Sequence, residues 1–321
     1  MEHSNAHPEQ QPALAQPEVL NGVIVLIPAY NEDLMIGSIV LKVRRRVEKV
    51  IVVDDGSADQ TADVARSAGA EVIRLAENCG KSHALLKGLN RARELGGAVV
   101  ITMDGDGQHN AVDISVIAQP VLDGKADLVI GSRFLSTKND VPTHRRLGQK
   151  TLDVATAISS GQPCTDSQSG FRALSKKALE NLDFTSYGYG IESEMISHFT
   201  ERGLCIVEVP ITVRYTVPNG HKKNFMAHGI SVLGSIINLI SYKRPLLAFG
   251  IPGLILFLVG LIASSSAFTE YYLTDRFPFT LSMMSIALLI LGLLLIIAGL
   301  ILNALVVIVN KNRVEVNGLS K

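Results

Sequence analysis

The chain has 321 residues, 47% of them hydrophobic, enough for one large domain and an accessory part. Its basic and acidic side chains, 30 of each, leave a formal net charge of zero, so the field that nucleic-acid binding draws on is missing and no nucleic-acid partner is expected. Cys79, Cys164 and Cys205 stand apart without CxxC spacing, which supports neither a disulfide framework nor a zinc site and suggests a reducing compartment.

Residues 1–20, MEHSNAHPEQQPALAQPEVL, have no basic start and no apolar run. They are expected to be a disordered tail rather than a signal peptide. From residue 22 to about 215 short β-branched runs alternate with helix-like stretches: VIVLI, KVIVVDD, EVIRL, AVVITMD, DLVIGSRF and CIVEVPITV. This alternation predicts βαβ units, hence an α/β domain over 21–221 built on a mostly parallel sheet. Ligands of such sheets bind beyond the carboxyl ends of the strands. The unusual residues gather there: PAYNE after the first strand, DDGSAD after the second, DGDGQH after the fourth and GSRF after the fifth.

Spacing removes three familiar explanations. An EF-hand loop counted from Asp104 would put Gln108, His109 and Ser115 where an acid, a glycine and a glutamate belong. A phosphate loop ending in the GKS of NCGKSHALLKG would need glycine where Leu75 stands, and no GxGxxG follows the first strand. What remains for DGDGQH is a divalent ion. In an extended segment Asp104, Asp106 and Gln108 fall on one face. They supply two or three oxygens, and Mg2+, or Mn2+ in its place, completes such a shell with water and substrate phosphates.

Beyond the domain, residues 222–244 carry Phe225, Met226, Ile230, Leu233, Ile236, Ile237 and Ile240 at mixed three- and four-residue spacing between Lys222, Lys223, Lys243 and Arg244. An interfacial helix lying on membrane lipid is expected. Residues 246–268 and 280–309 contain no Asp, Glu, Lys or Arg, and each exceeds the ~20 residues that cross ~30 Å of hydrocarbon. With TEYYLTDRFPF between them they predict a transmembrane hairpin over 245–310. Lys243, Arg244, Lys311 and Arg313 flank it, placing the domain, the tail at 311–321 and both termini in the cytoplasm of a multi-pass membrane protein.

PAYNE, VVDDGSADQT, NCGKSHALLKG, DGDGQH, GSRF and DSQSGFRAL, in this order, resemble a family 2 glycosyltransferase of the GT-A fold, in the dolichyl-phosphate mannose synthase and polyprenyl-phosphate glycosyltransferase branch. The resemblance runs from residue 22 to about 230. Ser82 stands where glycine is usual after GK, and Gly105 where alanine is usual. The chain has no Trp, so the QxxRW motif of polysaccharide synthases is absent. A non-catalytic membrane scaffold that kept the fold is the alternative reading.

The resemblance implies an inverting transfer of a hexose from a nucleotide sugar, of the GDP-mannose or UDP-glucose type, to dolichyl or polyprenyl phosphate. It implies that Pro28, Ala29, Tyr30, Glu32 and Asp55 hold the nucleoside, that Lys81 and Asp104 meet the nucleotide, and that Asp104, Asp106 and Gln108 hold the metal. Asp106, Arg133 and Arg145 are the implied catalytic residues. Arg133 and Arg145 would face the acceptor phosphate, with Asp166, Gln168 and Glu194 on the same side. A homo-oligomer is compatible with this reading.

Overall fold

The computed structural model describes residues 19–135, 143–183, 191–213 and 245–318. The tail before residue 19 and the expected interfacial helix at 222–244 lie outside them. The chain divides into two compact units, one of residues 1–129, 171–180 and 211–217, the other of 130–170, 181–210 and 218–321.

The first unit is built on β1 (Leu20–Ala29), β2 (Val47–Asp54), β3 (Glu71–Arg74), β4 (Val99–Thr102) and β6 (Arg172–Ser175), in the order β3-β2-β1-β4-β6. Parallel pairing sets Ile27 beside Val52, Leu26 beside Thr102 and Val52 beside Val72. β6 runs antiparallel to β4, with Ala173 opposite Ile101. β5 (Leu128–Ser132) begins in this unit, where the Ser175 amide donates to the carbonyl of Asp127. The sheet is therefore mixed but mostly parallel, and β6 is a strand that the sequence pattern did not announce.

VIVLI and VIVV show no polar alternation because both faces of these strands are covered. Val23, Val25, Leu26, Ile27, Ile51, Val52 and Val53 are all fully buried. Helices α1 (Asp33–Arg44) and α2 (Thr61–Ser67) pack on each other, α3 (Lys81–Glu94) packs on β1 and β2, and α4 (Ile114–Leu122) packs on β4 and β6. Gly88 lets α3 sit that close: a Cβ there would fall 2.2 Å from Leu26 Cδ1.

In the second unit the end of β5 neighbours β7 (Ile206–Pro210), and α5 (Thr143–Ser160) packs on α7 (Ile191–Glu201). The short α6 (Lys176–Glu180) belongs to the first unit. Two long helices close the chain, α8 (Ile251–Thr274) and α9 (Phe279–Gly318). Their apolar stretches, Leu246–Thr274 and Phe279–Ile308, are long and apolar enough to cross a membrane and fit a transmembrane hairpin. The turn is shorter than TEYYLTDRFPF suggested: α8 continues through Thr274 and ends on Asp275, whose left-handed φ of 54° an Asp tolerates at a helix end.

Small residues fasten the two helices together. Gly253, Gly260 and Ala267 are the buried positions of α8, one every seventh residue. A Cβ at Gly292 would lie 2.6 Å from Phe257 N, and one at Gly299 3.0 Å from Gly250 N, so the backbones meet where no side chain intervenes.

Candidate active site

The loops after β1 and β2 are knitted together in the first unit. Asn31, in the left-handed region at φ 54°, donates its amide to Ser57 Oγ at 2.9 Å and accepts from the Ala58 amide at 2.9 Å. The Glu32 amide donates to Thr61 Oγ1 at 2.8 Å and the Asp33 amide to Asp59 Oδ2 at 3.3 Å. Pro28 and Ala29 end β1, and Tyr30 emerges half-exposed beyond them. Asp55 is 3% exposed. Its Oδ1 accepts from the Cys79 amide and its Oδ2 from the Gly80 amide, both at 2.9 Å. This carboxylate, expected at the nucleoside, is thus engaged by both oxygens in shaping the loop that starts α3. Asn31, Ser57 and Thr61 were not singled out from the sequence; their signal is the polar run in SADQT and the Asn of PAYNE, which fits ordinary turn chemistry equally well.

DGDGQH does not continue β4 as an extended segment. The strand ends at Thr102 and the chain turns at Gly105–Asp106, with Gly107 at φ 75°. The expected alternation along one face is therefore replaced by a turn. Asp106 Oδ1 accepts from the Gln108 amide at 3.0 Å, curling the turn back on itself. Asp104 Oδ1 lies 2.7 Å from Lys81 Nζ, and its Oδ2 lies 3.5 Å from His109 Nε2. The His109 ring rests on Phe171 with centroids 5.0 Å apart. A methyl at Gly105, as in the usual alanine, would come 3.1 Å from the Pro28 carbonyl oxygen, so glycine eases a close approach.

Charge is unevenly distributed over these acids. Burial alone would raise the Asp104 carboxyl, but Lys81 and His109 beside it hold it well below the usual carboxylate range. Burial raises Asp106, and the charge of Asp104 adds to this. Glu32 is pushed up to about 7, first by burial and then by Asp106, Asp59 and Asp104. Glu32 and Asp106 are thus raised, while Asp104 is lowered by its cationic neighbours. Among the described residues no three His, Cys, Asp or Glu side chains gather to enclose an ion. Asp104 and Asp106 stand in one turn as carboxylate donors, and Gln108, the expected third donor, is tied to Asp106 through its backbone amide.

In the second unit Arg133, just past β5, is gripped by Asp166. Asp166 is fully buried, and it accepts from Arg133 Nε at 2.7 Å, from Nη2 at 2.6 Å and from the Arg133 amide at 3.0 Å. Asp166, expected on the acceptor side, engages the arginine with both of its oxygens. Gln168 Nε2 donates to Ser193 Oγ at 2.5 Å, and Ser193 shares a hydrogen bond with Thr156 at 3.0 Å. Glu194 follows in the first turn of α7. Phe134, Lys150, Asp153, Cys164 and Thr165 border an open cavity of about 500 Å³. The backbone of Arg145 belongs to α5; its side chain is outside the described residues. Glu208 of β7, unremarked in the sequence, accepts from the Thr165 and Asp166 amides at 3.0 and 3.1 Å.

The profile described as Glycosyl transferase family 2 matches residues 24–183. The chain is 33% identical over 233 residues to the UDP-N-acetylglucosamine–dolichyl-phosphate N-acetylglucosaminyltransferase of Methanococcus voltae, covering 66% of this chain and 90% of the relative. It is 31% identical over 216 residues to the polyprenol monophosphomannose synthase of Mycolicibacterium smegmatis, covering 63% and 80%. Among solved structures it resembles the glucosyl-3-phosphoglycerate synthase of Mycobacterium tuberculosis in complex with Mn2+, UDP-glucose and phosphoglyceric acid. That match has a TM-score of 0.55 and 26% identity, over 68% of this chain and 78% of the other. A GT-A sheet with acids beyond the end of its fourth strand, together with these matches, makes the chain a glycosyltransferase that belongs to glycosyl transferase family 2.

Proposed function

We propose that this enzyme moves a hexose from a nucleotide sugar, of the GDP-mannose or UDP-glucose type, to dolichyl or polyprenyl phosphate, giving a lipid-linked monosaccharide with inversion at the anomeric carbon. The observation that carries the reading is that one chain holds both the acidic turn of a family 2 enzyme and two helices of membrane-crossing length. An acceptor that lives in the bilayer accounts for both. The names of the relatives support the same acceptor class.

The residues divide the work by chemistry. Tyr30 and Glu32, at the rim formed by Pro28, Ala29 and the loop that Asp55 fastens, take the base, whose ring NH a carboxylate accepts. Lys81 turns from Asp104 to the diphosphate. Bound at Asp104, Asp106 and Gln108, Mg2+ or Mn2+ would supply Lewis-acid stabilisation of the departing nucleoside diphosphate. Arg133 and Arg145 hold the acceptor phosphate in line with the anomeric carbon, and Gln168 and Glu194 shape that side. A phosphate monoester with a second pKa of about 6 is already largely ionised at neutral pH, so attack needs no strong general base. One displacement inverts the centre, and no sugar is attached to the protein.

The proposed arrangement in the cell is a catalytic domain over 21–221, an interfacial helix over 222–244 and a hairpin over 245–310, with the domain and both termini cytoplasmic. Lys243, Arg244, Lys311 and Arg313 at the two ends of the hairpin support that orientation. The test is a donor screen: detergent-solubilised protein, polyprenyl phosphate, Mg2+ and a panel of UDP- and GDP-sugars, read by nucleoside diphosphate release and by lipid product. Release with one donor is expected. No release with any donor overturns the reading and favours a non-catalytic scaffold.

A further inference from the structure

A free arginine side chain samples many rotamers, yet Arg133 and both of its neighbours are tied down by one dipeptide. Asp166 accepts from the Arg133 amide, Nε and Nη2. Thr165 Oγ1 lies 2.7 Å from Ser132 Oγ, and Ser132 Oγ accepts from the Phe134 amide at 3.2 Å. Residues 132, 133 and 134 thus all hang on Thr165–Asp166. That dipeptide belongs to the irregular stretch after α5, with no helix or strand ladder of its own.

Glu208 holds it. This carboxylate accepts from the Thr165 amide at 3.0 Å (Oε1) and 2.9 Å (Oε2), from Thr165 Oγ1 at 3.0 Å, from the Asp166 amide at 3.1 Å and from Cys164 Sγ at 3.2 Å. An ionised carboxylate only accepts. The Thr165 hydroxyl must therefore donate to Glu208, and it has only its lone pairs left for Ser132. The Ser132 hydroxyl must in turn donate to Thr165, which leaves its oxygen to accept from Phe134. One charge on β7 fixes the direction of the whole chain, from the Phe134 amide through two hydroxyls to Glu208.

We propose that Glu208 is a positioning residue for the acceptor site, acting through Thr165 and Asp166 to set the backbone and guanidinium of Arg133. This rests on the reading of Arg133 as a residue that holds the acceptor phosphate. Glu208 itself touches no substrate; it preorganises the group that does.

The test measures Kd by calorimetry on the full chain in detergent. Farnesyl phosphate is the acceptor probe, and UDP and GDP with Mg2+ are the donor-side controls. Arg133→Ala should weaken farnesyl phosphate about tenfold or more. Glu208→Ala should weaken it about tenfold, Glu208→Gln only about threefold because the amide oxygen still accepts, and Thr165→Val about threefold, with nucleotide Kd within about twofold throughout. In the Arg133→Ala background, Glu208→Ala should add nothing, since a residue acting through Arg133 has nothing left to position. If Glu208→Ala leaves farnesyl phosphate binding intact while Arg133→Ala weakens it, or if the two losses add in full, the positioning role is overturned and the acceptor reading stands. If Arg133→Ala itself has no effect, the acceptor reading falls and takes this inference with it. Should Glu208→Ala fail to fold, Thr165→Val and Glu208→Gln decide the matter against the same thresholds.

Discussion

Lys81 Nζ lies 2.7 Å from Asp104 Oδ1, so the first residue of α3 neutralises the first acid of DGDGQH while burial raises the second, Asp106. The two carboxylates are unequal before any ligand arrives. In the proposed mechanism a divalent ion competes with Lys81 for Asp104, and a diphosphate arriving with the ion gives the ammonium another partner.

Lys81→Met should therefore act in opposite directions on two measurements. Mn2+ alone should bind about threefold or more tightly, because Asp104 loses its internal cation, whereas the nucleotide-sugar KM should rise about tenfold for want of a charge-assisted bond to phosphate. Titration of Mn2+ by electron paramagnetic resonance and steady-state kinetics check the two signs; weakening of both would place Lys81 in a merely structural role.

Asp104→Asn and Asp106→Asn should each lower kcat by about 100-fold or more without a matching loss of Tm. Wild-type transfer should stop in EDTA and return with Mg2+ or Mn2+. Full turnover in EDTA would remove the metal from the mechanism.

Asp153 gives a pH signature of stability. Burial first, with the charge of Asp166 adding, pushes its carboxyl up to about 6 from an ordinary 3.8, although the Ser167 amide donates to it at 2.7 Å. Between these values the folded chain holds a proton that the unfolded chain has released, so stability falls as pH rises from about 4 to about 6 and stays lower above that. Asp153→Asn should be the more stable protein at pH 7 to 8, by up to about 3 kcal/mol, and lose that advantage at pH 4. Melting curves across this range test the sign.

A cysteine placed at Asp275, in the turn of the hairpin, should react with an impermeant reagent applied from outside intact cells, while cysteines at Asn5 and Gly318 should be protected. The reverse pattern would invert the topology. Gly292→Leu should separate α8 from α9, since even a Cβ there meets Phe257 N at 2.6 Å.

The parts of this molecule legible in the sequence are those set by local pattern. β1, β2 and the two apolar helices follow from runs such as VIVLI and LLILGLLLII, whose period and length admit few readings. β6 escaped because RALS is four residues long and carries a buried arginine, Arg172, at 1% exposure, which no alternation rule anticipates. In the site, residue types were readable but their partners were not. Asp55 engages amides at positions 79 and 80, and Glu208 engages residues 164 to 166. Such bonds join segments far apart in the chain, and nothing in their local sequence distinguishes Glu208 from any exposed acid on a strand. The same distance explains DGDGQH: glycine spacing was visible, but the turn at Gly105–Asp106 depends on what surrounds it.

The insertion of β6 next to β4 also dictates an order of events during synthesis. β4 ends at Thr102, but the strand that covers its far edge begins only at Arg172. A nascent chain that has emerged as far as α5 therefore displays the bare hydrogen-bonding edge of VVIT, a fully buried segment in the finished protein and the kind of edge on which chains aggregate. β5 emerges in the interval, but the strand beside β4 in the sheet is β6, and the amide that bonds to Asp127, just before β5, is that of Ser175. The edge of β4 is covered when residues 172–175 leave the ribosome, ahead of the apolar helices that follow from residue 246. A fragment stopped before Arg172 keeps Lys81, Asp104 and Asp106 but not the strand that covers β4, so its sheet ends on an open edge.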